Sequence, residues 1–286
     1  MAVEILSNNE GILDCQKCDE KLREERGHDK EGLVPFWIQG KVIKRCPLIL
    51  ITPLSYEYIK AFSFYDKGRG IQEGGYKLSA SMDTLSIAKA LASPPYLAWV
   101  TFPNGWRKEQ IADLLTRKLG WSEEERTHWI EIDTAPSAGL IEGVYYGDTY
   151  LIPTDQSPAY VAGRLRGRFT DVFAPYAAEA AKRGIPWTDV ITLASLIERE
   201  AAKNDKHLVS GILWNRLHTG MGLQVDATLQ YIRGERGNWW PVPTPADKKL
   251  ESAFNTYKHV GLPPHPIANP SLESIDAALN PDKTDC

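Results

Sequence analysis

The stretch DVITLASLIEREAA (189–202) decides how the second half of the chain folds. At about 100° per residue, its apolar side chains fall on one arc of a helix. Its two glutamates, Glu198 and Glu200, are separated by about 200° around that helix, so they face different surroundings. The wheel places Glu200 on the apolar arc and Glu198 near the edge of the arc. The arc comprises Leu193, Leu196 and Ile197.

Glu200 is the unusual residue of this helix. A carboxylate on an apolar face must be paired, be neutralised or open into a cleft, because burying an unpaired charge is costly. Desolvation raises the pKa of a carboxyl group, and a raised pKa allows it to act as a general acid near neutral pH. Spacing alone leaves a structural alternative open, namely a salt bridge from Glu200 to Arg216 or a glutamate at a helix end near the surface.

The elements around this helix are predicted to be mostly helical. SPAYVAGRLRGRF, PYAAEAAKR and WTDVITLASLIEREAA are predicted as three successive helices, with Gly184 and Pro186 at the last junction. HLVSGILWNRL is predicted as a further helix that ends at Gly220. One face of it carries Val209, Ile212, Leu213 and Leu217. From MGLQVDAT onward, the polar chain rich in Gly and Pro is predicted to be largely loop.

The first half alternates short apolar strands with helices. VPFWIQ, PLILIT and GGYKLS are predicted strands, and Asp83 is a predicted N-cap for the helix TLSIAKALA. The strand YLAWVTF (96–102) precedes a helix that ends at Gly120. The apolar positions of that helix are Ile111, Leu114, Leu115 and Leu119. The fold class is therefore predicted to be α+β, with small strand and helix modules before a mostly α domain.

Composition narrows the class of protein. The chain has 286 residues, of which 43% are hydrophobic, and a net charge of −4, which argues against a nucleic-acid partner. No apolar run approaches the roughly 20 residues of a membrane span, and no signal peptide is visible at the N-terminus. Cys15 and Cys18 form one Cys-x-x-Cys pair without the further ligands that zinc needs, so no metal is expected.

Five motifs follow one another along the chain: TFPNGW (101–106), EGVYYGDTYLIP (142–153), LASLIERE (193–200), WNRLHTGMGLQVDATLQY (214–231) and FNTYKHVGLPPHPIANP (254–270). Their order resembles that of the MltG (YceG-like) family of endolytic peptidoglycan transglycosylases. The resemblance begins at about residue 34. The resemblance implies a lyase whose catalytic glutamate is the second acidic residue of Glu-Arg-Glu, here Glu200. The helical wheel selects the same residue.

The resemblance also implies a reaction and further site residues. Glu200 would protonate the oxygen between N-acetylmuramic acid and N-acetylglucosamine, and the muramic C6 hydroxyl would close onto C1 without a cofactor. Glu198 and Asp226 are candidates for catalytic support. Candidate substrate-binding residues are Asn215, Arg216, Gln224, Asn255, Thr256 and Tyr257. For each of these, a role in structuring the loop is an open alternative, because Asn, Asp and Thr often satisfy local backbone.

The expected organisation follows from the same resemblance. Residues 1–33 are an unassigned charged segment, residues 34–135 are LysM-like modules, and residues 136–286 are the catalytic domain, whose C-terminal end is expected to be truncated. Glycan strands are the implied substrate, and penicillin-binding proteins and the elongation machinery are the implied partners, at the inner membrane facing the periplasm or cell exterior. Two other hypotheses remain: a non-catalytic glycan-binding protein, and a hydrolytic muramidase that uses Glu200 and Asp226 as an acid–base pair.

Overall fold

The computed structural model describes residues 34–38, 65, 67, 74–78, 81–135, 142–202 and 204–285. The predicted strand PLILIT, the charged N-terminal segment and the Cys15/Cys18 pair lie outside the described residues. The chain divides into two compact units. The first comprises the chain up to Trp99 together with the later segment Leu151–Asp155. The second comprises Val100–Tyr150 and the chain from Gln156 onward. The domain boundary predicted from the sequence lies later, after residue 135. The assignment of residues 34–135 to LysM-like modules stays a prediction.

The described part of the chain contains a four-stranded sheet, in which three strands were predicted from short apolar runs and the fourth, in the TYLIP segment, was not. β1 (Val34–Ile38), β2 (Gly74–Leu78), β3 (Leu97–Thr101) and β4 (Thr149–Pro153) lie in the order β1-β2-β3-β4. β1 and β2 are antiparallel, and so are β2 and β3. The combination of this sheet with many helices confirms the predicted α+β class.

The helix of the first unit begins where the sequence predicts. α1 spans Thr84–Ala92, and the Asp83 carboxylate caps it by accepting a hydrogen bond of 2.7 Å from the Ser86 backbone N–H. This satisfies one of the free N–H groups that every helix start leaves. Leu91 of this helix packs with Tyr76 and Leu78 of β2 in a small buried cluster.

The second unit is mostly helical. Its helices are α2 (Lys108–Leu119), α3 (Glu123–His128), α4 (Pro158–Lys182), α5 (Trp187–Glu200), α6 (Lys206–Thr219), α7 (Asp226–Arg233) and α8 (Leu272–Leu279). A π-helical turn, Trp129–Asp133, follows α3, and a short 3₁₀ turn spans Asp247–Lys249. α2 confirms its prediction, since the apolar positions at helical spacing are buried and Gly120 ends the helix with a positive φ of 75°.

Two of the predicted helices are one continuous helix. The sequence predicted a break before PYAAEAAKR, but α4 runs through Pro175. A proline inside a helix removes one hydrogen bond and tends to bend the helix. Here one buried stripe continues across it, so packing on both sides holds the helix together. The stripe comprises Val161, Leu165, Phe169, Phe173 and Ala180.

The prediction of a largely looped tail was wrong in two places. DATLQYIR forms α7 and LESIDAAL forms α8, and each is only 8 residues long. Helices this short are marginal alone and form here because tertiary packing buries one side of them. The predicted apolar face of α6 also differs, since Leu213 is buried with the small residues Ser210 and Gly211. The chain at Asp282 packs directly over Gly211 and selects that face.

α5 forms the centre of the second unit. Its residues from Val190 to Ile197 are all buried, and α8 packs along it. The end of α5 is therefore a rigid point from which side chains can project. Searched over the described residues, none of the helices has the length and apolarity needed to cross a membrane.

Candidate active site

The end of α5 exposes Glu200 to solvent. The helix stops here because Ala201 adopts an extended backbone conformation. The buried arc ends at Ile197, one turn before the carboxylate, so Glu200, which the wheel places on that arc, is exposed. A helical wheel assumes that the helix and the packing over its apolar face both continue. Here the buried residues end at Ile197 and the helix ends at Glu200.

The Glu200 carboxyl lies at the start of α7. Its Oε1 accepts a hydrogen bond of 3.0 Å from the backbone N–H of Ala227. Burial of the carboxyl group beside this helix raises the pKa of Glu200, and the charge of Asp226 raises it further, against the opposing effects of the Ala227 N–H and Arg199. The group is thus open to solvent on one side and biased toward its protonated form, as a general acid requires.

One form of the structural alternative for Glu200, the salt bridge to Arg216, is not realised, but the other is, because Glu200 is the last residue of α5 and is exposed. Among the described residues, no ion pair joins Glu200 to Arg216. Arg216 instead donates a hydrogen bond to the backbone carbonyl of Leu223 and so holds the loop that precedes α7. This leaves Arg216 half-buried behind the loop.

Asp226 and Tyr257 form a pair on the same exposed surface. The Tyr257 hydroxyl donates a hydrogen bond of 2.7 Å to Asp226 Oδ1. Burial, the hydrogen bond to Asp226 and the charges of Asp226 and Glu200 together raise the pKa of Tyr257 to about 12. The phenol therefore stays protonated and orients the Asp226 carboxylate beside Glu200. The structure brings these three predicted site residues together.

Gln224 extends this exposed surface on an unusual backbone. Its φ is +53°, in the left-handed region that residues other than glycine rarely occupy. The backbone N–H of Gln224 donates to the Thr256 carbonyl at 3.1 Å, and the N–H of Val225 donates to the Thr256 hydroxyl at 2.9 Å. Two loops distant in sequence thus hold Gln224 in place with its side chain exposed.

Two predicted binding residues lie inside the loop. Asn255 is fully buried, and its amide donates to the carbonyls of Lys248 and Leu250 at 3.1 and 2.8 Å. The buried hydroxyl of Thr256 is within 3.1 Å of the Thr228 hydroxyl. These contacts favour the loop-structuring alternative for both residues, because their polar atoms already have partners. Asn215 is similar, since its amide donates to the carbonyl of Thr284 at 2.8 Å.

Glu198 points to the opposite side of α5. Its Oε2 accepts hydrogen bonds from the Ser271 and Ser274 hydroxyls, both at 2.5 Å, and lies 3.2 Å from Lys206 Nζ. Burial raises the pKa of Glu198, but the hydrogen bonds from the serines and the charge of Lys206 outweigh burial and hold that pKa below its usual value. Glu198 ties the end of α5 to the start of α8 and supports Glu200 only by fixing that end.

Sequence reasoning missed the residue that joins three of the motifs. Asn269 is buried, its Nδ2 donates to the Trp106 carbonyl at 2.9 Å, and its Oδ1 accepts from the Tyr145 N–H at 2.7 Å. The same Nδ2 donates to Glu142 Oε1 at 2.8 Å. Glu142 in turn accepts from the Lys108 backbone N–H at the start of α2. Its position between two prolines was the signal that could have indicated a fixed, buried amide.

The surroundings of Glu142 explain why a carboxyl group can be buried there. Burial raises the pKa of Glu142 well above its usual value, and the charge of Glu109 acts in the same direction. The hydrogen bonds from Lys108 and Asn269 satisfy its oxygens. It contributes to the framework behind the site. Searched over the described ranges, no group of three or more His, Cys, Asp or Glu side chains is placed to hold a metal ion.

Comparison with known proteins identifies the family of the chain. The profile of the YceG-like family matches residues 51–286. The chain belongs to the YceG-like family. The match covers every motif that frames the site described above.

Relatives of this YceG-like chain carry a functional name. It is 26% identical over 262 residues to the endolytic murein transglycosylase of Streptococcus pneumoniae serotype 2 (strain D39), covering 78% of this chain and 48% of the relative. It is 30% identical over 252 residues to the endolytic murein transglycosylase of Bacillus subtilis (strain 168), covering 79% and 69%. The chain thus spans about half the length of the pneumococcal relative.

A solved structure supports the fold. The 2.6 Å crystal structure of a YceG-like protein from Listeria monocytogenes has a TM-score of 0.63 to this chain at 29% sequence identity. The match covers 79% of this chain and 82% of that one. The fold described here is therefore one that the family adopts.

Proposed function

We propose that this protein is a lytic transglycosylase that cleaves peptidoglycan glycan strands within the chain, with Glu200 as its general acid. One observation carries the proposal: a solvent-facing carboxyl at the rigid end of α5, with a raised pKa, occupies the second acidic position of Glu-Arg-Glu. The names of the pneumococcal and Bacillus relatives support the same reaction.

In the proposed reaction one carboxyl group, that of Glu200, acts first as an acid and then as a base. Glu200 donates its proton to the oxygen that bridges N-acetylmuramic acid and N-acetylglucosamine, and the bond from the muramic C1 to that oxygen breaks. The C6 hydroxyl of the same muramic residue attacks C1 and gives up its proton to the Glu200 carboxylate. The product ends in a 1,6-anhydro ring, and no water is consumed. Because the nucleophile is part of the substrate, its attack requires no second carboxylate in the protein.

The neighbours of Glu200 suit this chemistry. Positive charge develops at the muramic C1 as the glycosidic bond breaks, and the Asp226 carboxylate held by Tyr257 provides a fixed negative charge nearby. Gln224 is exposed beside them and offers an amide for hydrogen bonds to N-acetyl groups. We assign these three residues to substrate contact and to stabilisation of the transition state.

The wider setting of the reaction is proposed on resemblance alone. LysM-like modules in residues 34–135 would hold the glycan strand and set where it is cut. The protein would act at the inner membrane, facing the periplasm or cell exterior, next to penicillin-binding proteins and the elongation machinery. Support for the modules comes from the two strand and helix units of the first half, and support for the cellular setting comes from the order of the five motifs.

The products of cleavage test the proposal. Uncrosslinked glycan strands incubated with the protein should yield fragments that end in 1,6-anhydro-muramic acid, measured by mass spectrometry. Reducing ends would indicate hydrolysis, with Glu200 and Asp226 as an acid–base pair. Binding of strands without any fragments would favour a non-catalytic glycan-binding protein.

A further inference from the structure

Arg199 lies between the two glutamates in sequence and stacks on a tryptophan. Its guanidinium carbon is 3.9 Å from the centroid of the Trp240 ring. Trp240 is itself fixed, because its Nε1–H donates to Gln110 Oε1 at 2.8 Å. Stacking on an aromatic face holds a guanidinium flat while its N–H groups at the edge stay available for hydrogen bonds.

The neighbouring carboxylates do not pair with this cation. Glu198 Oε2 is taken by Ser271, Ser274 and Lys206, and Glu200 Oε1 accepts from the Ala227 N–H. The Arg199 Nε is buried and has no hydrogen-bond partner in the described part of the chain. An arginine has five N–H donors and always carries its charge. The guanidinium is thus held rigidly with donor capacity unused beside the candidate acid.

The backbone of Gly105 lies close to Arg199. Gly105 has a positive φ of 80°, and a Cβ atom built on it would lie 3.7 Å from Arg199 Nη1 and 3.5 Å from Glu198 Cγ. No side chain from this position covers the Nη1 edge of the guanidinium. Burial lowers the pKa of Arg199, against the charges of Glu198 and Glu200, which raise it.

We infer that Arg199, supported by Trp240, is a subsite for a carboxylate on the peptide stem of the glycan substrate. The inference rests on the proposed function and names the part of the substrate that this side of the site recognises. The N-acetylated sugars of the strand are neutral, so its carboxylates lie on the peptides attached to the muramic lactyl groups. Planar, bidentate donors are the arrangement that carboxylates bind best.

The test compares the binding of three glycan probes to the Glu200→Gln variant, which should not cleave them. The probes are uncrosslinked strands of equal length with free stem carboxylates, the same strands with those carboxylates amidated, and strands without stems whose muramic lactyl carboxyl groups are amidated. In the Glu200→Gln variant, calorimetry should give a Kd about tenfold lower for the free carboxylates than for the amidated stems. Adding Arg199→Gln should remove this discrimination and leave the Kd for amidated strands unchanged.

Two further variants separate recognition from folding. Arg199→Lys keeps the charge but loses the planar pair of donors, so part of the discrimination should remain. Arg168→Gln makes the same charge change at an exposed arginine paired with Asp148 and should keep full discrimination. The thermal unfolding midpoint of each variant reports whether the fold is intact.

The outcomes of the inference and of the proposed function are distinct. If Arg199→Gln weakens binding of all three probes equally, or if discrimination persists without Arg199, the subsite is contradicted. If the probes are discriminated through Arg199 but the parent protein produces no anhydro ends, the proposed function fails and the subsite stands. Failure of every strand to bind contradicts the subsite, and the products of the parent protein then decide the proposed function separately.

Discussion

The Glu200 carboxyl accepts a 3.0 Å hydrogen bond from the backbone N–H of Ala227, which joins the last residue of α5 to the first turn of α7. This contact fixes where the carboxyl points without enclosing it. Because Asp226 immediately precedes Ala227, the same junction places a negative charge beside the group. One backbone contact therefore fixes the position of the Glu200 carboxyl and brings it next to the charge of Asp226.

Asp226→Asn should change the pH dependence of cleavage. Burial raises the pKa of Glu200, and the charge of Asp226 raises it further. Glu200 must hold its proton to act as an acid, so activity falls as pH rises through this raised pKa. Without the negative charge of Asp226, the carboxylate is easier to form, the pKa of Glu200 falls, and the alkaline limb of the pH–rate profile moves to lower pH.

The matched control for this shift is Asp171→Asn. Asp171 is exposed on α4, and its replacement makes the same change in net charge. Its profile should overlay that of the parent protein. An unchanged alkaline limb in Asp226→Asn would contradict the electrostatic coupling between Asp226 and Glu200.

Tyr257→Phe removes one hydroxyl from the site. The hydrogen bond from Tyr257 to Asp226 Oδ1 is lost, and the carboxylate is no longer held in one orientation. We expect kcat/KM for glycan cleavage to fall about ten- to hundredfold, the cost of one hydrogen bond to a charged group. Tyr257 is half-exposed, so the free energy of unfolding should change by less than about 1 kcal/mol. Full activity of this variant would rule out a role for the pair.

Glu198→Ala should destabilise the protein instead of changing its chemistry. The substitution leaves Lys206 and two serine hydroxyls without their shared acceptor, and Lys206 is only 12% exposed. Urea denaturation should show a loss of about 2–3 kcal/mol in the free energy of unfolding. Because the pKa of Glu198 is lowered in the folded state, this stabilisation is present above its usual pKa and is lost as pH falls through the lowered value.

Glu273→Ala provides the comparison for Glu198. Glu273 lies 3.4 Å from the same Lys206, but its side chain is 69% exposed. Its replacement should change the free energy of unfolding by less than about 0.5 kcal/mol, since exposed ion pairs contribute little. Equal losses in the two variants would show that Glu198 is not the anchor of α5.

The contrast between the two glutamates also shows how far sequence reasoning reaches. α2 and the Asp83 cap of α1 were predictable because their signals lie within a few residues. The environment of Glu198 was not, because Ser271 lies 73 residues away in sequence. The exposure of Glu200 depends on where α5 ends, and a periodic pattern does not fix a helix end.

Local sequence patterns also could not predict that α4 is continuous or that the two short helices α7 and α8 form. Pro175 indicated a break that packing along α4 overrides. α7 and α8 are too short for a clear periodic signal and are stabilised by their neighbours. The cluster of Glu200, Asp226 and Tyr257 was predictable only as a set of motif residues, because the loops that join them carry no periodic pattern.

Gln224→Gly should stabilise the fold and weaken the binding of glycan. Gln224 has a φ of +53°, which glycine adopts without a steric penalty. The variant should gain about 0.5–1 kcal/mol in the free energy of unfolding, measured in urea. It should also bind uncrosslinked glycan strands more weakly, because the exposed amide is gone. A variant that is both less stable and unchanged in binding would contradict the role assigned to this residue.

The most direct measurement is mass spectrometry of glycan products from the parent protein and its Glu200→Gln variant. Gln keeps the shape of the side chain and can still accept from the Ala227 N–H, but it has no proton to transfer. We expect 1,6-anhydro ends from the parent, none from Glu200→Gln, and a thermal unfolding midpoint for the variant no lower than that of the parent. Anhydro ends from Glu200→Gln, or their loss in Glu198→Gln with its fold intact, would contradict the assignment of Glu200 as the acid.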